Sequence, residues 1–208
     1  MRLCESPQTM SDHDFSASVI RNRALFLDRD GVINVNHGYV HRPENFDFMD
    51  GIFTVARAAH AQHYKLVVIT NQAGIARGYY SEQQFNELTH WMCNQFEMQG
   101  APVAKVYFSP YHPTAGIGEY KKDDISRKPH PGMILHAQQE LNLDLKNSIL
   151  IGDKASDIRA GIAAGVGCNI LLADTEPVEL QDMIYQRITS LRDTLPFLGC
   201  GQSTVIAQ

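Results

Sequence analysis

Five short apolar runs, each ending in polar residues, punctuate this chain. Ala24-Leu25-Phe26-Leu27 stops at Asp28, and Lys65 to Ile69 runs into Thr70-Asn71. Ala104 to Phe108, Ser148 to Ile151 and the weaker Cys168 to Leu172 repeat the pattern, the fourth run ending in Gly152-Asp153. Consecutive apolar positions suit strands buried on both faces, as in a parallel sheet. Between the runs the spacing turns helical. Ile52, Val55, Ala56 and Ala59 share one face, as do Phe85, Leu88, Met92 and Phe96. Met133, Leu135 and Leu141 mark a third helix, and Ile158 to Ala164 a short fourth. Ser81 to Gln84 reads as a capping box and Gly100 as the stop of the second helix. Strands alternating with helices predict an α/β fold: a doubly wound, Rossmann-like parallel sheet with helices on both faces.

The same pattern sets boundaries. Residues 1–22 read as a loose leader, with Met10 an alternative start, and residues 23–198 as one domain. A further strand is expected near Met183 to Ile188, a last short helix capped by Ser190, and a frayed tail over 199–208. Pro110 to Lys128 is a loop too long for a mere connection, and such loops are often functional.

Composition narrows the partners. The 208 residues are 44% hydrophobic and 20% charged, near the globular average. A net charge of −5 gives no electrostatic reason to bind nucleic acid or an anionic membrane. No apolar run approaches the ~20 residues of a membrane-spanning helix. Met1 to Ser18 holds no apolar signal core, so a cytoplasmic location is expected. Cys4, Cys93, Cys168 and Cys200 form no CxxC pair and read as free thiols. No exposed heptad seam is seen, so a monomer is expected.

The polar strand ends carry the chemistry. Ligands of open parallel sheets bind beyond the carboxyl ends of the strands. Asp28-Arg29-Asp30-Gly31, Thr70-Asn71-Gln72 and Gly152-Asp153-Lys154 all lie there, with Asp157 a helical turn later and Lys128 just before a helix. Asp28, Asp30 and Asp153 make an oxygen-rich set suited to Mg²⁺. A carboxylate can also attack phosphorus, with a lysine and a hydroxyl holding the phosphoryl oxygens. Each motif alone is more often a turn or a cap. Their joint occurrence, in order and each at an element boundary, is specific.

In that order the motifs resemble those of the haloacid dehalogenase-like phosphatases, from about Ala24 to Leu198. Asn36-His37-Gly38-Tyr39-Val40-His41, Thr70 to Gly78 and Arg127 to Met133 are similar to the branch acting on D-glycero-D-manno-heptose 1,7-bisphosphate. That branch removes the 7-phosphate while the heptose precursor of lipopolysaccharide is made. The resemblance implies a core without a separate cap domain. It implies Asp28 as nucleophile, forming an aspartyl-phosphate, and Asp30 as general acid and then base. Thr70 and Lys128 would hold phosphoryl oxygens. Mg²⁺ would be held by Asp28, the Asp30 carbonyl and Asp153, with Asp157 orienting Lys128 or the metal shell. Asn36, His37, Gly38, Tyr39, Asn71, Gln72, Ala73, Arg127 and Lys154 would contact the phosphorylated sugar, Arg127 at a second phosphate.

One departure stands out. Many members of this branch hold the long loop with zinc, through Cys-x-His and a later Cys-x-Cys. The matching positions here are Ser109, Tyr111, Asp124 and Ser126, so no zinc is expected. Hydrogen bonds, proline rigidity and packing of Tyr111 and Tyr120 must hold the loop instead. Histidinol phosphate is the alternative substrate. A phospho-ligand binding module without turnover is the alternative of another class, disfavoured because Asp28, Asp30, Thr70, Lys128 and Asp153 are all present.

Overall fold

Six parallel strands form one sheet in a computed structural model that describes residues 22–199. They are β1 (Arg23–Leu27), β2 (Tyr64–Asn71), β3 (Val103–Ser109), β4 (Ile149–Gly152), β5 (Cys168–Leu172) and β6 (Gln186–Ile188). The expected leader over 1–21 and tail over 200–208 lie outside the described residues. Asn22, expected in the leader, already pairs with the chain near Leu143: its N–H donates to the Asn142 carbonyl at 3.0 Å.

Alternation along the strands explains why both faces are apolar. Leu25 and Leu27 join a core with Leu66, Val68, Ile149 and Ile151 under α1 (Ile52–Ala61) and, after the one-turn α2 (Ala73–Ala76), α3 (Glu82–Met98). Ala24 and Phe26 join the opposite core with Val67, Ile69 and Leu150 under α4 (Gly132–Leu141) and α5 (Ala155–Ala164). Each fully buried Leu or Phe contributes roughly 1.5–3 kcal/mol of apolar transfer. Ser81 caps α3 through the expected box with Gln84, and Gly100 ends it with φ +73°.

The third expected helix is α4, which buries Met133, Ile134 and Ala137, while Leu135 is exposed. Leu135 follows Met133 by two residues, about 200° around a helix, and so faces away. One expectation needs correction: the last strand is shorter than expected, starting at Gln186. Ser190 caps the 3₁₀ turn Leu191–Thr194 that leads into α6 (Leu195–Leu198).

The strand order is β3-β2-β1-β4-β5-β6. Chain progression reverses direction between β1 and β4, and the carboxyl ends there open a crevice. Residues 28–51 link β1 to α1, and residues 110–131 link β3 to α4, with single 3₁₀ turns as their only helices. No described helix is long and apolar enough to cross a membrane.

Candidate active site

Asp28 leaves β1 at the mouth of that crevice. Its Oδ1 accepts the Arg29 N–H at 2.7 Å and lies 2.8 Å from Lys128 Nζ. Among the described residues no partner takes Oδ2. Lys128 is 3% exposed; its Nζ donates to the Ile69 carbonyl at 2.9 Å and forms ion pairs with Asp28 Oδ1 at 2.8 Å and Asp157 Oδ1 at 2.6 Å. Desolvation pulls its ammonium down, but the carboxylates of Asp157 and Asp28 outweigh it and hold Lys128 above its ordinary value. Burial raises Asp28; Lys128 opposes that shift and Asp157 adds to it. Asp157 Oδ2 also accepts the Lys154 N–H at 2.9 Å, so this carboxylate orients Lys128 from a fixed helix terminus.

Asp153 ends β4 beside them. Its carboxyl is pushed up to about 7, first by burial and then by Asp28, against the opposing charge of Lys154. Oxygens of Asp28, Asp153 and Asp157 lie within 4.8 Å of one another. Three hard carboxylate donors so close together fit a divalent cation such as Mg²⁺. Gly31 makes the room: its φ is +97°, and a Cβ there would sit 2.2 Å from Asp153 Oδ2.

Asp30 faces elsewhere. Both of its oxygens lie 2.8 Å from Arg29 Nη2, Oδ1 lies 3.2 Å from Asn34 Nδ2, and Oδ2 lies 3.2 Å from Gln72 Nε2. Its carboxylate is therefore outside the three-carboxylate cluster. Thr70, 1% exposed, accepts from Gln72 Nε2 at 2.8 Å.

A cavity of about 560 Å³ opens from Asp28, Asp30, Thr70 and Lys128. Asn36, Gly38, Tyr39, Asn71, Gln72, Ala73, Arg127 and Lys154 line it, as the sequence suggested. His37 does not. Asn36 Oδ1 accepts the Gly38 N–H, Gly38 adopts φ +80°, and this turn sends His37 outward, where Nε2 meets Asp47 Oδ2 at 2.8 Å. Asn71 reaches the cavity wall with its amide already used: Nδ2 donates to the Lys128 carbonyl at 2.9 Å and Oδ1 accepts the Lys128 N–H at 3.0 Å. It thus clamps the backbone that carries the lysine.

Sequence reasoning missed Arg77, Tyr80 and His112 on the same walls. Arg77 lay within the Thr70 to Gly78 stretch but was not singled out. His112 Nδ1 accepts the Ala115 N–H at 3.0 Å, which leaves the ring proton on Nε2. Burial, then Arg127 and Arg77, lower its pKa, so at neutral pH it is an uncharged donor beside two guanidinium groups.

The long loop is held by polar contacts at Ser109, Tyr111, Asp124 and Ser126, the positions that the resemblance matches to zinc ligands. Ser126 Oγ donates to Asp124 Oδ1 at 2.7 Å and lies 3.1 Å from Ser109 Oγ. Lys122 Nζ lies 2.9 Å from Asp124 and 3.9 Å from the Tyr111 ring centre, and Tyr111 packs against Tyr120.

Comparison with known proteins gives the lineage. Residues 25–183 match the family described as polynucleotide kinase 3 phosphatase. The chain is 52% identical, over 86% of its length and 95% of the relative's, to D-glycero-alpha-D-manno-heptose-1,7-bisphosphate 7-phosphatase of Burkholderia mallei. It is 46% identical to the corresponding beta-named enzyme of Vibrio cholerae, over 84% of this chain and 95% of that one. Among solved structures, D,D-heptose 1.7-bisphosphate phosphatase of B. bronchiseptica, complexed with magnesium and phosphate, shares the fold. Its TM-score is 0.70 at 24% identity, covering 85% of this chain and 97% of that one. With Asp28, Lys128 and the acidic cluster placed at the switch of a six-stranded parallel sheet, the chain belongs to the polynucleotide kinase 3 phosphatase family and is a haloacid dehalogenase-like phosphatase.

Proposed function

We propose that this chain is a magnesium-dependent phosphatase that removes the 7-phosphate of D-glycero-D-manno-heptose 1,7-bisphosphate, supplying heptose for lipopolysaccharide. The observation that carries the substrate choice is the cavity's second cationic wall. Arg77, Arg127 and the neutral N–H of His112 line the same cavity as the nucleophile, which suits a second phosphate dianion. Histidinol phosphate would bring a cationic amine to that wall, a like-charge contact.

The steps follow from the residues. Asp28 Oδ2 attacks phosphorus while the bond to the C7 oxygen breaks and Asp30 protonates the departing sugar oxygen. Water then attacks the aspartyl-phosphate as Asp30 takes its proton, which restores Asp28 and releases phosphate. Lys128 and the Thr70 hydroxyl hold the phosphoryl oxygens throughout. Bound by Asp28, Asp153 and the Asp30 carbonyl, Mg²⁺ would supply Lewis-acid neutralisation of those oxygens. Asp157 keeps Lys128 in line, and Lys154 shields Asp153.

The same reading takes the enzyme as a cytoplasmic monomer, without nucleic-acid or membrane partners, whose long loop needs no zinc. Phosphate release tests the substrate, with and without Mg²⁺, from both heptose bisphosphate anomers, histidinol phosphate and a 3′-phosphorylated oligonucleotide. The expected result is Mg²⁺-dependent release, fastest from a heptose bisphosphate; preference for either other ester overturns the proposal. Metal analysis of protein purified without added zinc tests the loop, and one tightly bound zinc per chain would refute that part.

A further inference from the structure

We infer that Gln72, oriented by Tyr80, is a positioning residue for the general acid Asp30 rather than a substrate-binding group. The inference rests on the phosphatase reading above. Gln72 is 1% exposed and every polar atom of its amide is engaged. Its Oε1 accepts the Tyr80 hydroxyl at 2.5 Å, and its two Nε2 protons go to Thr70 Oγ1 at 2.8 Å and Asp30 Oδ2 at 3.2 Å. Flipping the amide would set its carbonyl against the Asp30 carboxylate, so one orientation is enforced.

Tyr80 supplies the enforcement. Burial pushes its hydroxyl up to about 12, so it stays protonated and donates. The ring lies parallel to His41, with centres 5.1 Å apart, and occupies space left by Gly74, where a Cβ would come 2.1 Å from a ring carbon. Gly74 thus admits the ring that fixes the amide. Because Thr70 Oγ1 accepts from Gln72, its own O–H cannot point at Gln72 and is free for the cavity it lines. Arg29 and Asn34 hold Asp30 from its other sides. Gln72 is its link to the catalytic threonine.

Leaving-group dependence separates positioning of an acid from general damage. A sugar alkoxide must be protonated as it departs, whereas p-nitrophenolate leaves unaided. Measured as kcat/KM, Gln72→Leu is expected to lose about 10–100-fold on heptose 1,7-bisphosphate, a fraction of the full worth of a general acid. The loss on p-nitrophenyl phosphate should be at least about tenfold smaller, as expected when acid catalysis alone is impaired. Tyr80→Phe should show the same asymmetry at a smaller size, and Gln72→Leu/Tyr80→Phe should match Gln72→Leu, because the two act in series. The double variant strands no hydroxyl and serves if the single one fails to fold. Equal losses on both esters, or an unaltered rate on the sugar ester, overturn the inference. Wild-type protein inactive on both esters would instead overturn the phosphatase reading.

Discussion

Replacing Lys128 by methionine removes one cation from a site where it neutralises two carboxylates. Asp28 and Asp157 are 5% and 1% exposed, and Lys128 Nζ lies 2.8 and 2.6 Å from them. Water cannot take over the solvation of these groups. Breaking a buried pair by deleting one partner costs about 3–5 kcal/mol, because the other charge is stranded. In a domain of this size each kcal/mol shifts Tm by roughly 2–4 °C, so a fall of about 6–20 °C is expected. Urea and thermal unfolding at neutral pH measure it. Adding Asp157→Asn should recover at least about 1 kcal/mol, since it removes one stranded charge and the two sites couple. Asparagine keeps an oxygen for the Lys154 N–H. Lys128→Met costing under about 1 kcal/mol, or strict additivity in the double variant, would refute the claim that this lysine is an obligatory counter-ion.

Gly31→Ala should cost about 1–2 kcal/mol from its φ of +97° alone and push Asp153 aside. A Mg²⁺ titration of activity should then need more metal at half-maximum. Arg77→Met should raise KM for a heptose bisphosphate more than for the matching 7-monophosphate, a difference steady-state kinetics will read; equal effects would remove Arg77 from the second phosphate site. Asp124 is held down at about 2, chiefly by Ser126, so its stabilisation is complete above its unfolded value near 4 and is lost as pH falls toward 2. Because this carboxylate is partly exposed, about 1–2 kcal/mol should vanish between pH 5 and pH 2 in wild type. Less should vanish in Ser126→Ala, as measured by urea unfolding across that range.

The fold was legible because burial on both sheet faces leaves runs such as Ala24 to Leu27 apolar at every position, a pattern few other arrangements tolerate. The candidate site was legible for a related reason: a run that stops at Asp28 or Asp153 has reached the carboxyl end of a strand. Side-chain commitments were not. Asn71 and Gln72 are adjacent amides, yet one clamps the Lys128 backbone and the other serves Asp30 and Thr70, because successive residues at a strand end point opposite ways. His37 looked like a substrate contact until the turn at Gly38 directed it to Asp47. Arg77 and His112 meet only because the loop after β3 folds back over the residues after β2, as the Ile117 N–H donating to the Ala76 carbonyl at 2.9 Å records. That return also shapes the loop. Asp124 meets Ser126 and Lys122, and Ser126 also meets Ser109, so polar contacts close it. The sequence could name these residue types but not their meeting, because the meeting consists of distances rather than residue types.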